Sequence, residues 1–474
     1  MTQSKLFTDK LSAFYSAIKE SLGGKEIDYT KGSIRKGVIL LAIPMMLEMV
    51  MESVFALVDL YFVGHLHNSS YAIQTVGLTE SVLTIIYSLA IGISMAATAV
   101  VARRVGEKDP IAAAKAGVQC LLIAITINII IGIIGFIFAA KILELMGASP
   151  ESVQYGTPYI RIMMGSSLLI MLLFLINGIF RGAGNAAMAM KSLWIANIIN
   201  ILLCPLLING FGFIPAFGLT GAAMATTIGR ASGVVYQAYH LFNGKSTLKM
   251  KLTYFSPDWN QINALIKIAA PGVFQFVIAS CSWIFLAQLV ATTGGDNGSA
   301  GYQTALRLLM FFMLPAWGLS NAASTMVGQN MGAGLLQRAE KAVIQTAFYN
   351  VSFMAFVTII SFAGADLFVS FFTNNEHVKE IAVQAIHIMS LGYIFYGIGM
   401  VLINTFNGAG DTWTPTWINF CGFWLFQIPL AYLLARHFEL GPQGVFVAIP
   451  VTETSITIAG YILFKKGNWK KVKV

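Results

Sequence analysis

Charged residues are scarce in this sequence of 474 residues. Only 11% are Asp, Glu, Lys or Arg, against roughly 25% in an ordinary soluble domain. Apolar residues make up 57%, and the mean hydropathy is +0.72. This composition excludes a soluble globular domain. There are only four cysteines, all in apolar segments without paired spacing, and the six histidines show no ligand spacing. A disulfide scaffold, a resident metal centre and other cofactors are therefore not expected.

Long apolar runs are what the sequence has instead. Many approach the ~20 residues that a helix needs to cross a bilayer, so we predict an all-α polytopic membrane protein embedded in lipid. Its twelve predicted transmembrane helices are 37–63, 71–101, 112–138, 158–180, 187–208, 218–242, 264–291, 300–328, 341–364, 381–406, 413–434 and 444–464.

The longest internal polar stretch divides these helices into six and six. Residues 5–22 place their apolar side chains on one helical stripe, which favours either an amphipathic helix on the membrane surface or a leader without a role. The predicted parts are an N-terminal segment (1–36), an N-terminal lobe (37–242), a linker (243–263), a C-terminal lobe (264–464) and a basic tail (465–474).

The two halves repeat each other at an offset of 226 residues. Residues 90–119 align without a gap onto 316–345 with eleven identities, including Gly106 with Gly332, and 180–185 (FRGAGN) align onto 406–411 (FNGAGD). A long apolar chain with two like halves is typical of secondary transporters, whose sites lie between the repeats near the bilayer midplane. Six helices per half make the repeats parallel.

The formal net charge of +9 could indicate nucleic acid as a partner, but its distribution argues against that. Of the 30 Lys and Arg residues, 24 lie in the N-terminal segment, the even-numbered connections and the C-terminal tail. The positive-inside rule places these parts in the cytoplasm. We therefore expect both termini to be cytoplasmic in a plasma or inner membrane, and no nucleic-acid partner.

Acids occur where a bilayer makes them costly. Glu48, Glu52 and Asp59 fall on one narrow stripe of the first helix, and Glu80 of the second helix lies at a similar depth. Intramembrane charges are functional candidates by default, and clustered carboxylates can take up a proton. Sodium is the alternative occupant, because oxygen ligands suit a hard cation equally well. Arg230 on the sixth helix could pair with one of these acids.

Other polar residues on apolar helices are weaker candidates. Each could line a substrate cavity, or could simply form an interhelical hydrogen bond. Arg307 and Glu453 could instead pair with each other as a packing device. The candidates are Asn177, Asn197 and Asn200 in the first half, and Arg307, Tyr396 and Glu453 in the second.

Several motifs resemble the multidrug and toxic compound extrusion (MATE) family, and the likeness covers nearly all twelve helices. The resemblance implies two six-helix lobes that form a V around a central cavity. It also implies export of amphipathic, often cationic compounds against entry of H⁺ or Na⁺. The matching motifs are 58–66 (VDLYFVGHL, with Pro44 upstream), 182–185 (GAGN), 218–226 (GLTGAAMAT), 322–330 (AASTMVGQN) and 408–412 (GAGDT).

The same resemblance assigns site residues. It implies that Asp59, Asn200 and Thr226 belong to a proton or Na⁺ site of the N-terminal lobe. The position where many relatives have a further aspartate holds Cys204 here, and Glu48, Glu52 and Glu80 are extra acids that could substitute for it. The C-terminal-lobe acids of sodium-coupled relatives fall on Ala279 and Tyr396, so that site is predicted to be absent.

The combined prediction is a monomeric antiporter, not an enzyme, that exports small molecules in exchange for H⁺ or Na⁺ by alternating access. The coupling ion is left open, leaning to H⁺. A lipid-linked oligosaccharide flippase is the main alternative, and it should show cationic residues in its cavity. A membrane-embedded enzyme would need a nucleophile–base pair or a metal-type cluster, and it is disfavoured because the histidines show no ligand spacing; a channel is disfavoured because no pore-loop signature appears between the helices.

Overall fold

Helices make up almost all of the computed structural model, which describes residues 16–64, 66, 69–212, 214–243, 248–373 and 375–474. Most of the predicted amphipathic segment lies outside the described residues. The long helices are α1 (Ile34–Gly64), α2 (Ser69–Gly106), α3 (Pro110–Ile137), α4 (Pro150–Gly182, interrupted at Ser166), α5 (Ala186–Asn209), α6 (Leu219–Phe242), α7 (259–294), α8 (296–332), α9 (Leu336–Ser370), α10 (Glu376–Ser390 continued by Tyr393–Ala409), α11 (Trp413–His437) and α12 (Pro442–Lys466).

The prediction of twelve spanning segments is confirmed. In the described part of the chain, nine helices are long and apolar enough to cross a membrane, and the bent pair of α10 makes a tenth. One of the nine, Trp259–Gly332, contains two spans, because Gly295 breaks it with φ 59° and ψ −155°. Helix α6 is less apolar, but its 24 residues exceed the ~20 that a bilayer requires.

Several helices extend beyond their predicted apolar cores. Helix α4 begins at Pro150, directly after its N-cap residue Ser149. Helix α7 begins at Trp259, directly after its N-cap residue Asp258, whose side chain accepts from two backbone N–H groups. A short helix, Ala139–Leu145, was not predicted, and α10 bends by 55° between its halves. Apolar periodicity marks the part of a helix inside the membrane, whereas capping residues set its true ends.

The repeat is visible in matching turns after α4 and α10. Gly184 and Gly410 both adopt the left-handed conformation, with φ 88° and 84°. Each is followed by a capping side chain: Asn185 accepts from the backbone of Met188, and Asp411 accepts from that of Thr414. The GAGN and GAGD motifs therefore encode one turn twice, since glycine adopts positive φ without steric cost.

The two lobes meet at the end of the bundle where the segment before α1 and the C-terminal tail lie, which we call the basic end. The Thr325 hydroxyl donates to the Arg181 carbonyl oxygen at 3.2 Å, and Gln329 Nε2 donates to that of Gly182 at 3.1 Å. Arg103 Nη2 reaches the carbonyl oxygens of Ala409 (3.4 Å) and, in the C-terminal tail, Val472 (2.8 Å). These contacts join the N-terminal lobe directly to the C-terminal lobe.

The segment before α1 strengthens this junction. Tyr29 is 3% exposed, and its backbone N–H donates to Gln329 Oε1 at 3.1 Å. Arg338 of α9 donates to the Tyr29 carbonyl oxygen at 3.2 and 3.3 Å and to that of Lys31 at 2.7 Å. The Tyr29 hydroxyl reaches the carbonyl oxygen of Gly184 at 3.5 Å. Residues 29–31 are thus held between the lobes at the basic end.

Candidate functional site

Glu48 of α1 belongs to a buried hydrogen-bond network. It is 1% exposed, and its Oε1 accepts from Asn177 Nδ2 at 2.9 Å and lies 3.5 Å from Arg181 Nη1. Asn177 Oδ1 in turn accepts from Ser192 Oγ at 2.9 Å and Gln237 Nε2 at 2.6 Å. Asn177 is therefore a positioning residue inside the N-terminal lobe, and it does not line the two cavities described below.

Glu52 lies one turn further along α1 and has different partners. Its Oε1 is 3.9 Å from Arg230 Nη2, and its Oε2 accepts from Asn197 Nδ2 at 3.2 Å. Arg230 also donates to the Tyr87 hydroxyl at 2.9 Å, and its guanidinium stands over the rings of Phe55 and Tyr87. The prediction that Arg230 could pair with an acid is confirmed, with Glu52 as the partner.

Asp59 and Glu80 are the two remaining predicted acids of the N-terminal lobe, and Asp59 lies toward the end of α1 that is remote from the basic end. Glu80 contributes a negative charge that acts on Asp59, and Arg230 contributes an opposing positive charge. Within the described residues, neither carboxylate forms an ion pair at 4.0 Å or less, whereas Glu48 and Glu52 each face an arginine. Of the four predicted acids of the N-terminal lobe, Asp59 and Glu80 are thus the two without an ion-pair partner.

Asn200 of α5 and Thr226 of α6 are in contact within the N-terminal lobe. Asn200 Nδ2 donates to Thr226 Oγ1 at 2.9 Å, which leaves Asn200 Oδ1 buried without a partner among the described residues. Cys204, one turn after Asn200 on α5, has its Sγ 4.0 Å from Asp59 Oδ1. Residues four apart lie on one helix face, so Asn200 also faces α1. An amide oxygen without a partner, one helical turn from a residue that contacts a carboxylate, is a candidate oxygen ligand for Na⁺.

The structure therefore sorts the predicted acids into two kinds. All three acids of α1 share a face, but Glu48 and Glu52 are neutralised by Arg181 and Arg230. Arg181 was not among the predicted site residues, because its position at the end of α4 is typical of the basic residues that follow the positive-inside rule. No group of three or more His, Cys, Asp or Glu side chains arranged for a metal ion occurs in the part of the chain that the structure describes.

A cavity of about 150 Å³ lies in the C-terminal lobe, bounded by α7, α8, α10, α11 and α12 and by Met95 of α2. Tyr396 and Glu453 both line it, as does Ala279. Glu453 is 6% exposed, and its Oε1 is buried without a hydrogen-bond partner in the described structure. Asn419 Oδ1 is a second buried acceptor without a partner there. Glu453 and Asn419 therefore belong to the cavity lining, and one acceptor atom of each is buried without a partner.

Arg307 does not neutralise Glu453. The arginine is exposed on α8, and no ion pair joins the two residues within the described chain. The alternative of an Arg307–Glu453 packing pair is wrong, and Arg307 does not line the cavity. Sequence periodicity could not settle this, because the two residues sit on different helices whose rotation is set by packing.

A narrow cleft lies between the two lobes. It measures about 30 Å³, and both lobes supply its walls, including Met49 and Arg181 on one side and Asn321 and Ser324 on the other. Met95, Trp317 and Asn404 line both the cleft and the C-terminal-lobe cavity. The cleft between the lobes and the C-terminal-lobe cavity therefore adjoin each other and share part of their lining.

Comparison with known proteins agrees with this architecture. The MatE family model matches residues 44–206 and 271–433, two stretches of equal length that fall in the two lobes. A probable multidrug resistance protein NorM of Thermotoga maritima is 25% identical over 96% of this chain and 97% of its own.

Solved structures match over almost the whole chain. A MATE structure in complex with MaL6 superimposes with a TM-score of 0.89 at 25% identity, covering 94% of this chain and 100% of the other. The outward-facing conformation of a multidrug resistance MATE family transporter gives a TM-score of 0.88 at 25% identity, covering 94% of this chain and 99% of the other. The V-shaped fold of two six-helix lobes is therefore confirmed.

Proposed function

The chain belongs to the MATE family, and from this premise we propose that it is a secondary active antiporter that exports amphipathic or cationic small molecules. The names of its relatives support multidrug export, and the unneutralised acids of the N-terminal lobe support coupling to H⁺ or Na⁺. The basic end would face the cytoplasm of a plasma or inner membrane, with both termini inside. The protein would act as a monomer.

The observation that carries the coupling mechanism is the contrast between Asp59 and its neighbours on α1. Glu48 and Glu52 already have arginine partners, so a cation bound there would have to displace an existing charge. Among the described residues the Asp59 carboxylate has one hydrogen-bond donor, the weak thiol of Cys204, and the charges of Glu80 and Arg230 act on it. Two unpaired acids repel each other in a low-dielectric site, and one captured cation relieves the repulsion.

Cation binding must favour one lobe arrangement to drive transport. In the present arrangement the basic end is held shut by contacts between Tyr29, Gln329 and Arg338, among others. Similarity to an outward-facing transporter supports the interpretation that the cleft now opens away from the cytoplasm. Binding of H⁺ or Na⁺ from outside to Asp59 would displace the exported compound and favour return to the inward-open state.

A flippase for lipid-linked oligosaccharides is not supported. Such a protein needs positive charge for a phosphate group. The arginine of the central cleft, Arg181, is already paired with Glu48, and the charged residue of the C-terminal-lobe cavity is an acid, Glu453.

Counterflow in proteoliposomes tests the proposal. A fluorescent organic cation is loaded, and its release is followed under a pH gradient alone or a sodium gradient alone. We expect D59N to abolish gradient-driven release while leaving downhill exchange of dye. D366N, which removes an exposed carboxylate of the C-terminal lobe, should behave as wild type. Gradient-driven release that survives in D59N would refute coupling through this site.

A further inference from the structure

A groove of about 650 Å³ lies between α3 and α4, on the outside of the N-terminal lobe. It shares no lining residue with the cleft between the lobes or with the C-terminal-lobe cavity. Its lining is mostly apolar, and Ile129 and Ile133 of α3 are 48% and 55% exposed. Because α3 packs mainly against α2 and α4, and exposed apolar surface of this kind marks a contact with lipid, the groove faces the hydrocarbon of the bilayer.

The depth of the groove corresponds to one leaflet. It follows α3 from Asn128 to Ile137, a rise of ~14 Å at 1.5 Å per residue, which is about half of the ~30 Å hydrocarbon core. The predicted apolar spans 112–138 and 158–180 end and begin at one level, so Ile137 lies near the membrane surface and Asn128 near the midplane. The surface end is remote from the basic end, which makes this the outer leaflet in the proposed orientation.

Arg161 of α4 lies at the surface end of the groove and is exposed. Its guanidinium stands over the ring of Phe136, 5.5 Å from the centroid. Among the described residues it forms no ion pair at 4.0 Å or less, whereas Lys141, a basic residue at the same end, is paired with Glu144 at 2.8 Å. A stacked arginine still has N–H groups along its edge. Its charge is therefore open to an anion from outside the protein.

The polar residues deeper in the groove are bonded within the protein. Asn128 is 1% exposed, and its Oδ1 accepts from Ser167 Oγ at 3.0 Å. Ser166 Oγ lies 2.9 Å from Thr227 Oγ1 of α6. An occupant of the groove must therefore be apolar along most of its length and carry a negative charge at the membrane surface, which is the chemistry of an anionic phospholipid.

We propose that this groove binds one anionic phospholipid of the outer leaflet. The phosphate accepts hydrogen bonds from the Arg161 guanidinium, whose fork of donors suits two phosphate oxygens at once. One acyl chain lies along Ile129, Ile133 and Leu168 toward the midplane. The site requires that the chain spans a bilayer, but it does not depend on the proposed export or coupling.

Native mass spectrometry of the purified full-length protein tests the inference. The probe is dioleoylphosphatidylglycerol, and the affinity of the first bound molecule is measured by titration. Dioleoylglycerol has the same chains without the phosphate, dioleoylphosphatidylcholine is zwitterionic, and glycerol phosphate has no chains. We expect phosphatidylglycerol to bind best, the two other lipids to bind more weakly, and glycerol phosphate to give no adduct.

The variants separate the phosphate contact from the chain contact. R161Q should weaken phosphatidylglycerol by about tenfold or more and leave dioleoylglycerol unchanged, whereas K141Q, the same loss of charge at the same end, should bind as wild type. I133W fills the groove and should weaken both lipids. I134W is its matched control, since Ile134 is exposed on α3 but does not line the groove.

Three outcomes would overturn the proposal. Equal binding of phosphatidylglycerol to wild type, R161Q and I133W would show that the groove is not the site. Equal weakening in R161Q and K141Q would show a general attraction of the lipid to surface charge. Binding of glycerol phosphate as tight as that of phosphatidylglycerol, and lost in R161Q, would show a site for free phosphates. D59N should bind the lipid as wild type, so failure of the coupling proposal would leave this site standing.

Discussion

Gly106 of α2 lies in backbone contact with Gln329 of α8, with no space for a Cβ atom between the two lobes. The repeat-related pair has the same relationship, since Gly332 of α8 contacts the carbonyl oxygen of Arg103 of α2. The offset of 226 residues relates Gly106 to Gly332 and Arg103 to Gln329. The lobes therefore close on a pseudo-two-fold axis that passes between these two glycine contacts.

Alanine at this junction should prevent closure of the basic end. In G106A the new methyl group would overlap backbone atoms, which cannot rotate away, so the lobes must separate. Overpacking costs roughly 1–3 kcal/mol, enough to shift the population of the sealed state by about tenfold or more. Spin-label distances across the basic end should lengthen, and efflux should fall.

The matched control is G77A, on the same helix with open space around its Cβ position. It should leave both the distances and the efflux unchanged. A sealed basic end in G106A, with wild-type distances, would show that the lobes do not need this close approach.

Arg338 should determine how firmly the pre-α1 segment is held. It supplies three hydrogen bonds to the carbonyl oxygens of Tyr29 and Lys31. Hydrogen bonds from charged groups contribute roughly 1.5–3 kcal/mol, so R338A should speed amide exchange at Tyr29 by about tenfold or more. K341A, an exposed change on the same helix, is the control. Unchanged exchange at Tyr29 in R338A would remove Arg338 from the junction.

Asp28 should give a small pH-dependent contribution to stability. Burial raises the pKa of this carboxyl group, but hydrogen bonds from Lys108 and Thr30 outweigh that effect and lower the pKa to about 2. A lowered pKa means that the contribution is complete above the unfolded value of ~3.9 and is lost as the pH falls toward ~2.

The experiment compares thermal unfolding of wild type and D28N across this range. Since Asp28 and Lys108 are both more than one third exposed, the difference should stay below about 1 kcal/mol and shrink in salt. It should be constant near neutral pH and vanish at the acidic end. A difference that grows on acidification would contradict the assignment.

The Glu48–Arg181 pair should be structural and separable from coupling. The carboxylate side chain is 2% exposed and the guanidinium side chain 12%. Removing one partner of a buried pair costs roughly 3–5 kcal/mol, because the other charge is left uncompensated. R181Q should therefore lower the unfolding free energy, and the double variant E48Q/R181Q should recover most of the loss.

Transport distinguishes this pair from Asp59. The E48Q/R181Q protein should still couple release to the ion gradient, since neither residue belongs to the unpaired acids. Loss of coupling in the double variant, with stability intact, would assign Glu48 a role in ion binding.

Part of the candidate site was readable from the sequence. Asp59 and Glu453 stood out because a carboxylate on an apolar helix is costly, and Asn200 with Thr226 followed from the family resemblance. The partner of each acid was not readable. Arg181 and Glu48 are 133 positions apart by their numbers, and no local pattern reports a contact at that distance.

The sequence by itself determined the helices, their number, the repeat and the basic end, because these depend on local hydropathy, glycine conformation and the distribution of Lys and Arg. Only the tertiary structure decided which acids form ion pairs with arginine and which do not. The rotation of each helix about its axis is fixed by packing against its neighbours. That packing set Arg181 on Glu48 and Arg230 on Glu52, and among the described residues it left Asp59 and Glu453 without an ion pair.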